Sequence, residues 1–197
     1  MHVLLVLAHP LPDSFAAAMA ATAKTALEEN GHSVDLMDLY REGFDPRLTE
    51  SERRGYFDMP FDSAEAKKEI ERLQAAEALV LVFPQWWFNF PAVLKGFFDR
   101  AFAPGVAFLH DLDGGRIRPG LTRLRHVRVF TTTGSPWWVV RLYMGDPVRR
   151  LLKRGIVTAC TTGADFRMLA LHDMDRRKPH HLHAHLQRVR RWVSALK

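Results

Sequence analysis

The chain has 197 residues, of which 47% are hydrophobic and 25% charged, an ordinary globular balance long enough for one domain, residues 1–197, with a sizeable core. Its one cysteine, Cys160, excludes an internal disulfide framework. The net charge is +6, and no apolar stretch approaches membrane-spanning length, so the expected setting is the cytoplasm, without membrane insertion.

Val3–Ala8 (VLLVLA) is a continuous apolar run, the pattern of a strand buried on both faces. It has no basic lead and ends in His-Pro, so it reads as a core strand and not as a signal peptide. After the loop 9–13, Ser14 is placed to cap a helix that runs to about Glu29 and stops at Asn30-Gly31. Ser33–Asp38 alternates and predicts a second strand. Residues 40–63 read as a long irregular connection, a kind of segment that is often functional. A charged helix is predicted over Ala64–Ala76 and a fully buried strand over Ala78–Phe83. Pro91 opens the next helix at its first turn, where a missing N–H costs nothing. A loop over 104–119 holds Gly114-Gly115, and His126–Thr131 is a fourth strand. A helix is predicted over about Gly145–Thr161, a fifth strand over Asp165–Leu171, and a last helix from Pro179. Its stripe is Leu182, Leu186, Val189, Val193 and Leu196. This C-terminal part is basic, with 13 Lys/Arg against 4 Asp/Glu over residues 141–197. It reads as a solvated basic face, since no nucleic-acid module accompanies the charge.

Five strands alternating with helices predict an α/β chain, a parallel sheet with helices on both faces. In such sheets ligands sit at the carboxyl ends of the strands, near the point where strand order reverses. Three loops are thereby selected: 9–14, 84–90 and 132–138. The first, HPLPDS, lacks the G-x-G-x-x-G fingerprint but leads into a helix N-terminus, where free N–H groups and the dipole attract phosphate. His9 and Ser14 either contribute to that site or only shape a turn and cap the helix. The second carries Trp86, Trp87 and Phe88, an aromatic wall for a flat ligand or part of the core. In the third, Gly134 allows close backbone approach, Thr132, Thr133 and Ser135 supply hydroxyl and N–H groups, and Trp137 and Trp138 offer a second wall. A flavin nucleotide needs those three things: a phosphate site, an aromatic wall and a polar rim.

The run from Phe83 to Phe102 (FPQWWFNFPAVLKGFFDRAF) resembles the F-P-x-x-W-F/W-x-x-P-A-x-L-K-G-x-x-(D/E)-R-x-F signature of the flavodoxin-like NAD(P)H dehydrogenase (quinone) family. Val6–Phe15, Asp38-Leu39-Tyr40 with Phe44-Asp45-Pro46, and Thr132-Thr133-Gly134 resemble further motifs of that family, over about residues 3–173. The family includes quinone oxidoreductases and ancillary subunits of potassium efflux systems. The resemblance implies a flavodoxin-like three-layer sandwich around a five-stranded parallel sheet. It implies a homodimer with FAD, or alternatively FMN, that takes hydride from NAD(P)H and reduces a quinone-like acceptor by ping-pong. Carried over, His9, Ser14 and Phe15 hold the phosphate side. Pro84, Gln85, Trp86, Trp87 and Phe88 line the ring, and Thr132, Thr133, Gly134 and Ser135 meet its polar edge. Phe108 and Trp137 are expected at the substrate pocket, Phe108 reaching that of the partner.

One departure concerns the family's catalytic Tyr/His pair, which falls near Trp138 and Met144; Trp138 and Tyr143 are the candidates to take its place. That departure keeps open an alternative, a regulatory flavoprotein subunit of a transporter with slow or no turnover. A one-electron carrier fits less well with the basic charge. His180, His181, His183 and His185 suggest a metal cluster, but the apolar stripe accounts for the helix, and no metal is expected. Cys160 reads as a small buried hydrophobe, and Asp111, Asp113, Asp173 and Asp175 as loop residues without a catalytic pairing.

Overall fold

A computed structural model describes residues 1–58, 61, 65–109 and 116–196. Five strands form one parallel sheet: β1 (His2–Leu7), β2 (Ser33–Asp38), β3 (Ala78–Pro84), β4 (His126–Thr132) and β5 (Asp165–Leu171). Their order is β2-β1-β3-β4-β5. Apart from His2, the inner strands β1 and β3 are apolar throughout because both faces are covered, whereas the third inner strand, β4, also buries Arg128, Thr131 and Thr132. Val3, Leu5, Leu7, Val80 and Val82 enter one core, while Leu4, Val6, Leu79, Leu81 and Phe83 enter the other. The period of two thus splits each run between two helix layers.

Helix α1 (Phe15–Glu29) begins at the predicted Ser14 cap, whose hydroxyl accepts from the Ala17 N–H at 3.2 Å. Asn30 closes it, and Gly31 takes the left-handed conformation that the turn needs, with φ +78°. The stretch read as irregular contains a short helix, α2 (Glu50–Arg54). Thr49 and Glu52 close it as a capping box, a T-x-x-E signature legible in the sequence. Helix α3 spans Lys67–Ala75, and Ala64, predicted to start it, lies outside the described residues, as do Asp111, Asp113 and Gly114-Gly115. Helix α4 (Ala92–Ala101) follows Pro91. Helix α5 starts over Pro147–Arg150, widens into a π turn over Leu151–Val157 and closes over Thr158–Cys160. Helix α6 (Pro179–Ser194) packs on α1.

Two further departures from the expected loops appear. Phe108–Leu109 pairs antiparallel with Arg118–Pro119, and Val139–Tyr143 forms an isolated π turn. Among the described residues no helix is long and apolar enough to cross a membrane.

The long connection is tied to α4 by the second half of the family motif. A Cβ on Gly96 would stand 2.2 Å from the Pro46 carbonyl oxygen, so only glycine admits the connection here. Arg100, 3% exposed, donates to Glu52 at 2.8 Å and to the Asp45 carbonyl at 2.6 Å, with its guanidinium over the Phe44 ring. This buried pair locks α2 and the 44–46 segment against α4, the helix that follows β3.

Candidate functional site

From β1 the chain crosses to β2 on one side, and β3 adds on the other. The helices that follow β1 and β3 therefore leave on opposite faces, opening a crevice beyond the carboxyl ends of those strands. A cleft of about 320 Å³ lies there. It is lined by His9, Phe15 and Ala16 after β1, by Pro84, Gln85 and Trp86 after β3, by Thr132, Thr133 and Gly134 after β4, and by Met174 and Asp175 after β5. The three loops selected from the sequence converge on one cavity.

Each loop brings a distinct chemistry. His9 Nδ1 accepts from the Leu11 N–H at 3.0 Å, which in the neutral ring puts the proton on Nε2 and presents a donor. Its ring stands 6.1 Å from that of Trp86. Ser14 is spent on the Ala17 N–H, and the N–H groups of Phe15 and Ala16 are left without an intrahelical partner at the positive end of α1. The Gln85 main chain is fixed by its N–H to the Thr132 carbonyl at 2.7 Å. Its side chain lines the cleft only 6% exposed, and neither the amide nitrogen nor the amide oxygen has a partner. A buried amide left so costs roughly 1–3 kcal/mol, which points to a polar ligand edge as the missing partner. After β4 the Thr133 N–H is used by the Leu171 carbonyl, and Gly134 sits so close to Asp175 that a Cβ would stand 2.5 Å from its carboxylate.

The turn after β3 is strained. Trp86 and Asn89 exchange both main-chain hydrogen bonds, at 3.1 and 3.0 Å, and Trp87 and Phe88 between them have φ of +51° and +57°. Two consecutive left-handed residues make a turn that ordinarily selects Asn-Gly. Two bulky aromatics there are costly, a pattern that accumulates at functional sites.

Several expected site residues lie apart from the cleft. Trp87 borders it in sequence but is 96% exposed, and Phe88 and Ser135 do not line it. Trp138 and Tyr143 flank the Val139–Tyr143 turn, which carries both side chains outward, Tyr143 being 82% exposed. The geometry therefore does not bring the two candidate catalytic residues to the cleft. Trp137 lines a different groove beside β5, and Phe108 lines an apolar cavity between α4 and α5. His185 turns inward against the Phe15 ring at 6.0 Å, and burial pushes its pKa down to about 4. Cys160 is buried and its thiol is pushed up to about 11 by desolvation.

Ala16, Met174 and Asp175 line the cleft without having been assigned to it from the sequence, where Asp175 reads only as a loop residue. Met174 and Asp175 follow β5, the edge strand, on a turn whose Met174 N–H donates to the Thr133 carbonyl at 3.0 Å. The strand-end rule that selected the other loops selects this one as well.

The strand order and its switch-point crevice place the chain among doubly wound α/β proteins of the 2-1-3-4-5 kind. More narrowly, it belongs to the flavodoxin-like fold family, whose model matches residues 1–193. It is 35% identical over 153 residues to a ribosyldihydronicotinamide dehydrogenase [quinone] of Rattus norvegicus, a match covering 68% of this chain and 64% of that one. It is 33% identical over 138 residues to an uncharacterized NAD(P)H oxidoreductase of Haemophilus influenzae, covering 68% and 65%. The chain thus spans a little under two thirds of the length of these curated relatives. Among solved structures, an NAD(P)H:quinone oxidoreductase from Methanothermobacter marburgensis superposes with a TM-score of 0.83 at 26% identity, covering 98% of this chain and 96% of that one.

Proposed function

We propose that the protein is a single-domain flavin-dependent NAD(P)H:acceptor oxidoreductase that reduces quinone-like compounds. The carrying observation is the Gln85 amide, buried in the cleft with both polar atoms unpartnered. A flavin held there would supply the two-electron hydride chemistry between NAD(P)H and the acceptor, in a ping-pong cycle. The residues present fit such a group. Gln85 offers one donor and one acceptor to a polar ring edge, and Trp86 offers an apolar wall. The Phe15 and Ala16 N–H groups and the His9 ring face the phosphate end, and Gly134 lets the main chain of the β4 loop close in.

Within this proposal the flavin is FAD, with FMN the alternative. Pro10 and Pro12 have no N–H, and the 9–14 loop spends two of its amides internally, Leu11 on His9 and Ser14 on the Leu11 carbonyl. Few N–H groups remain for a terminal phosphate dianion, and a pyrophosphate diester asks for less. The proposal includes a homodimer in which Phe108, which serves no part of its own chain's cleft, reaches that of the partner. It also includes Trp137, Trp138 and Tyr143 as groups that meet the acceptor from outside the cleft.

Steady-state NAD(P)H oxidation with a quinone acceptor, after release and chromatographic identification of the bound flavin, tests the reading. Parallel double-reciprocal lines and one equivalent of flavin per chain are expected. A flavin-loaded protein without turnover would leave a regulatory role in its place.

A further inference from the structure

A second cavity, of about 320 Å³, lies outside the open edge of the sheet and shares no lining residue with the cleft at β1 and β3. β5 is the last strand, and among the described residues no strand pairs with its outer edge. Against its Met168–Ala170 stretch stand Trp137 and Arg141 from the segment after β4, and Arg188 and Trp192 of α6. Arg188 and Trp192 are four residues apart, hence on one helix face. Arg188 has no hydrogen-bond or ion-pair partner among the described residues. Arg141 makes a loose ion pair through Nε with Asp146 at 3.9 Å, too long for a hydrogen bond. One unpaired guanidinium and one loosely paired one thus stand beside two indoles and an unpaired strand edge.

We propose that this groove is a second binding site, for a small planar aromatic anion bearing a carboxylate or a sulfonate. Guanidinium groups match such oxyanions with paired, charge-assisted hydrogen bonds, and indole faces stack on a planar ring. The volume falls at the lower end of the range for small-molecule pockets, about 300–1,000 Å³. An extended peptide added to the strand edge would need the length of β5, whereas three of its residues line the groove. The site does not depend on the flavin reading.

Calorimetric titration of the purified protein, as isolated, with 2-naphthoate and with its uncharged counterpart 2-naphthamide tests this, with tryptophan fluorescence as a second readout. One saturable site per chain is expected, with naphthamide binding about tenfold more weakly, as a lost charge-assisted hydrogen bond dictates. Arg188→Gln, at an exposed position, weakens naphthoate about tenfold and leaves naphthamide unchanged. Trp192→Phe alters the fluorescence response, and added FAD or FMN does not displace the naphthoate. The proposal is overturned if neither compound saturates, if both bind equally, if Arg188→Gln changes nothing, or if a flavin displaces naphthoate. Binding of an acidic peptide in place of naphthoate overturns it as well.

Discussion

Gln85 concentrates the argument at the scale of single residues. Its main chain is locked onto the end of the β3–β4 ladder, and its side chain, 6% exposed, is buried with the amide unpaired. Gln85→Leu keeps the volume and removes the orphaned groups. The flavin-free protein should gain roughly 1–2 kcal/mol in urea unfolding, while flavin affinity falls about tenfold. A variant that lost both stability and affinity would mean that the amide is satisfied within the chain. Gly134 gives a complementary case. The nearest atom to an added Cβ is the tip of the exposed Asp175 side chain, which can move, so Gly134→Ala should change the melting temperature little. The new methyl enters the cleft, however, and flavin titration should show a clear loss of affinity. His9 and Gln85 were legible in the sequence because they follow buried strands; Asp175 was not, because its place over Gly134 depends on a turn that β5 hands back across the sheet.

Among the elements, the Trp86–Asn89 turn concentrates backbone strain and the α2–α4 lock holds a buried ion pair. Replacing Trp87-Phe88 by Asn-Gly supplies residues suited to two successive positive φ angles. Thermal melting should then show a gain of roughly 1–3 kcal/mol, about 2–4 °C for each kcal/mol in a chain of this size, together with slower turnover. An unchanged melting temperature would show that the strain is absorbed in the turn. Glu52→Gln leaves Arg100 buried beside a neutral partner and should cost roughly 3 kcal/mol, the lower end for a broken buried pair because Glu65 still faces the guanidinium at 3.2 Å. β1 and β3 were readable as unbroken apolar runs buried on both faces, β2 by its alternation, and α1, α4 and α6 because caps and prolines mark their starts. Helix α2 was missed although its capping box stands in the sequence, since one turn and a half leaves no hydrophobic period. The π turn after β4 was missed for a different reason. Trp138, just before it, and Tyr143, at its end, read as site residues until the backbone is seen to carry them outward.

Over the whole molecule, the two helix layers bury groups whose titration couples to folding. His185 sits between α6 and the Phe15 ring with its pKa depressed from 6.5 to about 4. The unfolded chain takes up that proton first as pH falls. Stability is therefore fully present above 6.5 and is lost as pH drops toward 4, by up to about 1.4 kcal/mol per pH unit. His185→Phe should flatten this part of the acid limb in urea titrations at pH 7 and 4.5; an identical limb would place the imidazole in contact with water. Cys160 acts at the other end, since its pKa is raised from 9.0 to about 11. The stability it lends is present below 9 and fades as pH rises toward 11, so the native thiol should resist alkylation at pH 8 and react on unfolding. One sheet, through its switch point, makes one cleft, and the proposed function places a flavin for hydride transfer there. Anaerobic stopped-flow mixing of the flavin-loaded protein with NADPH and with NADH, followed by a quinone, tests it most directly. Rapid bleaching of the flavin absorbance and its rapid return on quinone addition are predicted, with both phases slowed in Gln85→Leu. A protein that binds no flavin, or one whose bound flavin bleaches only over minutes, would contradict the account.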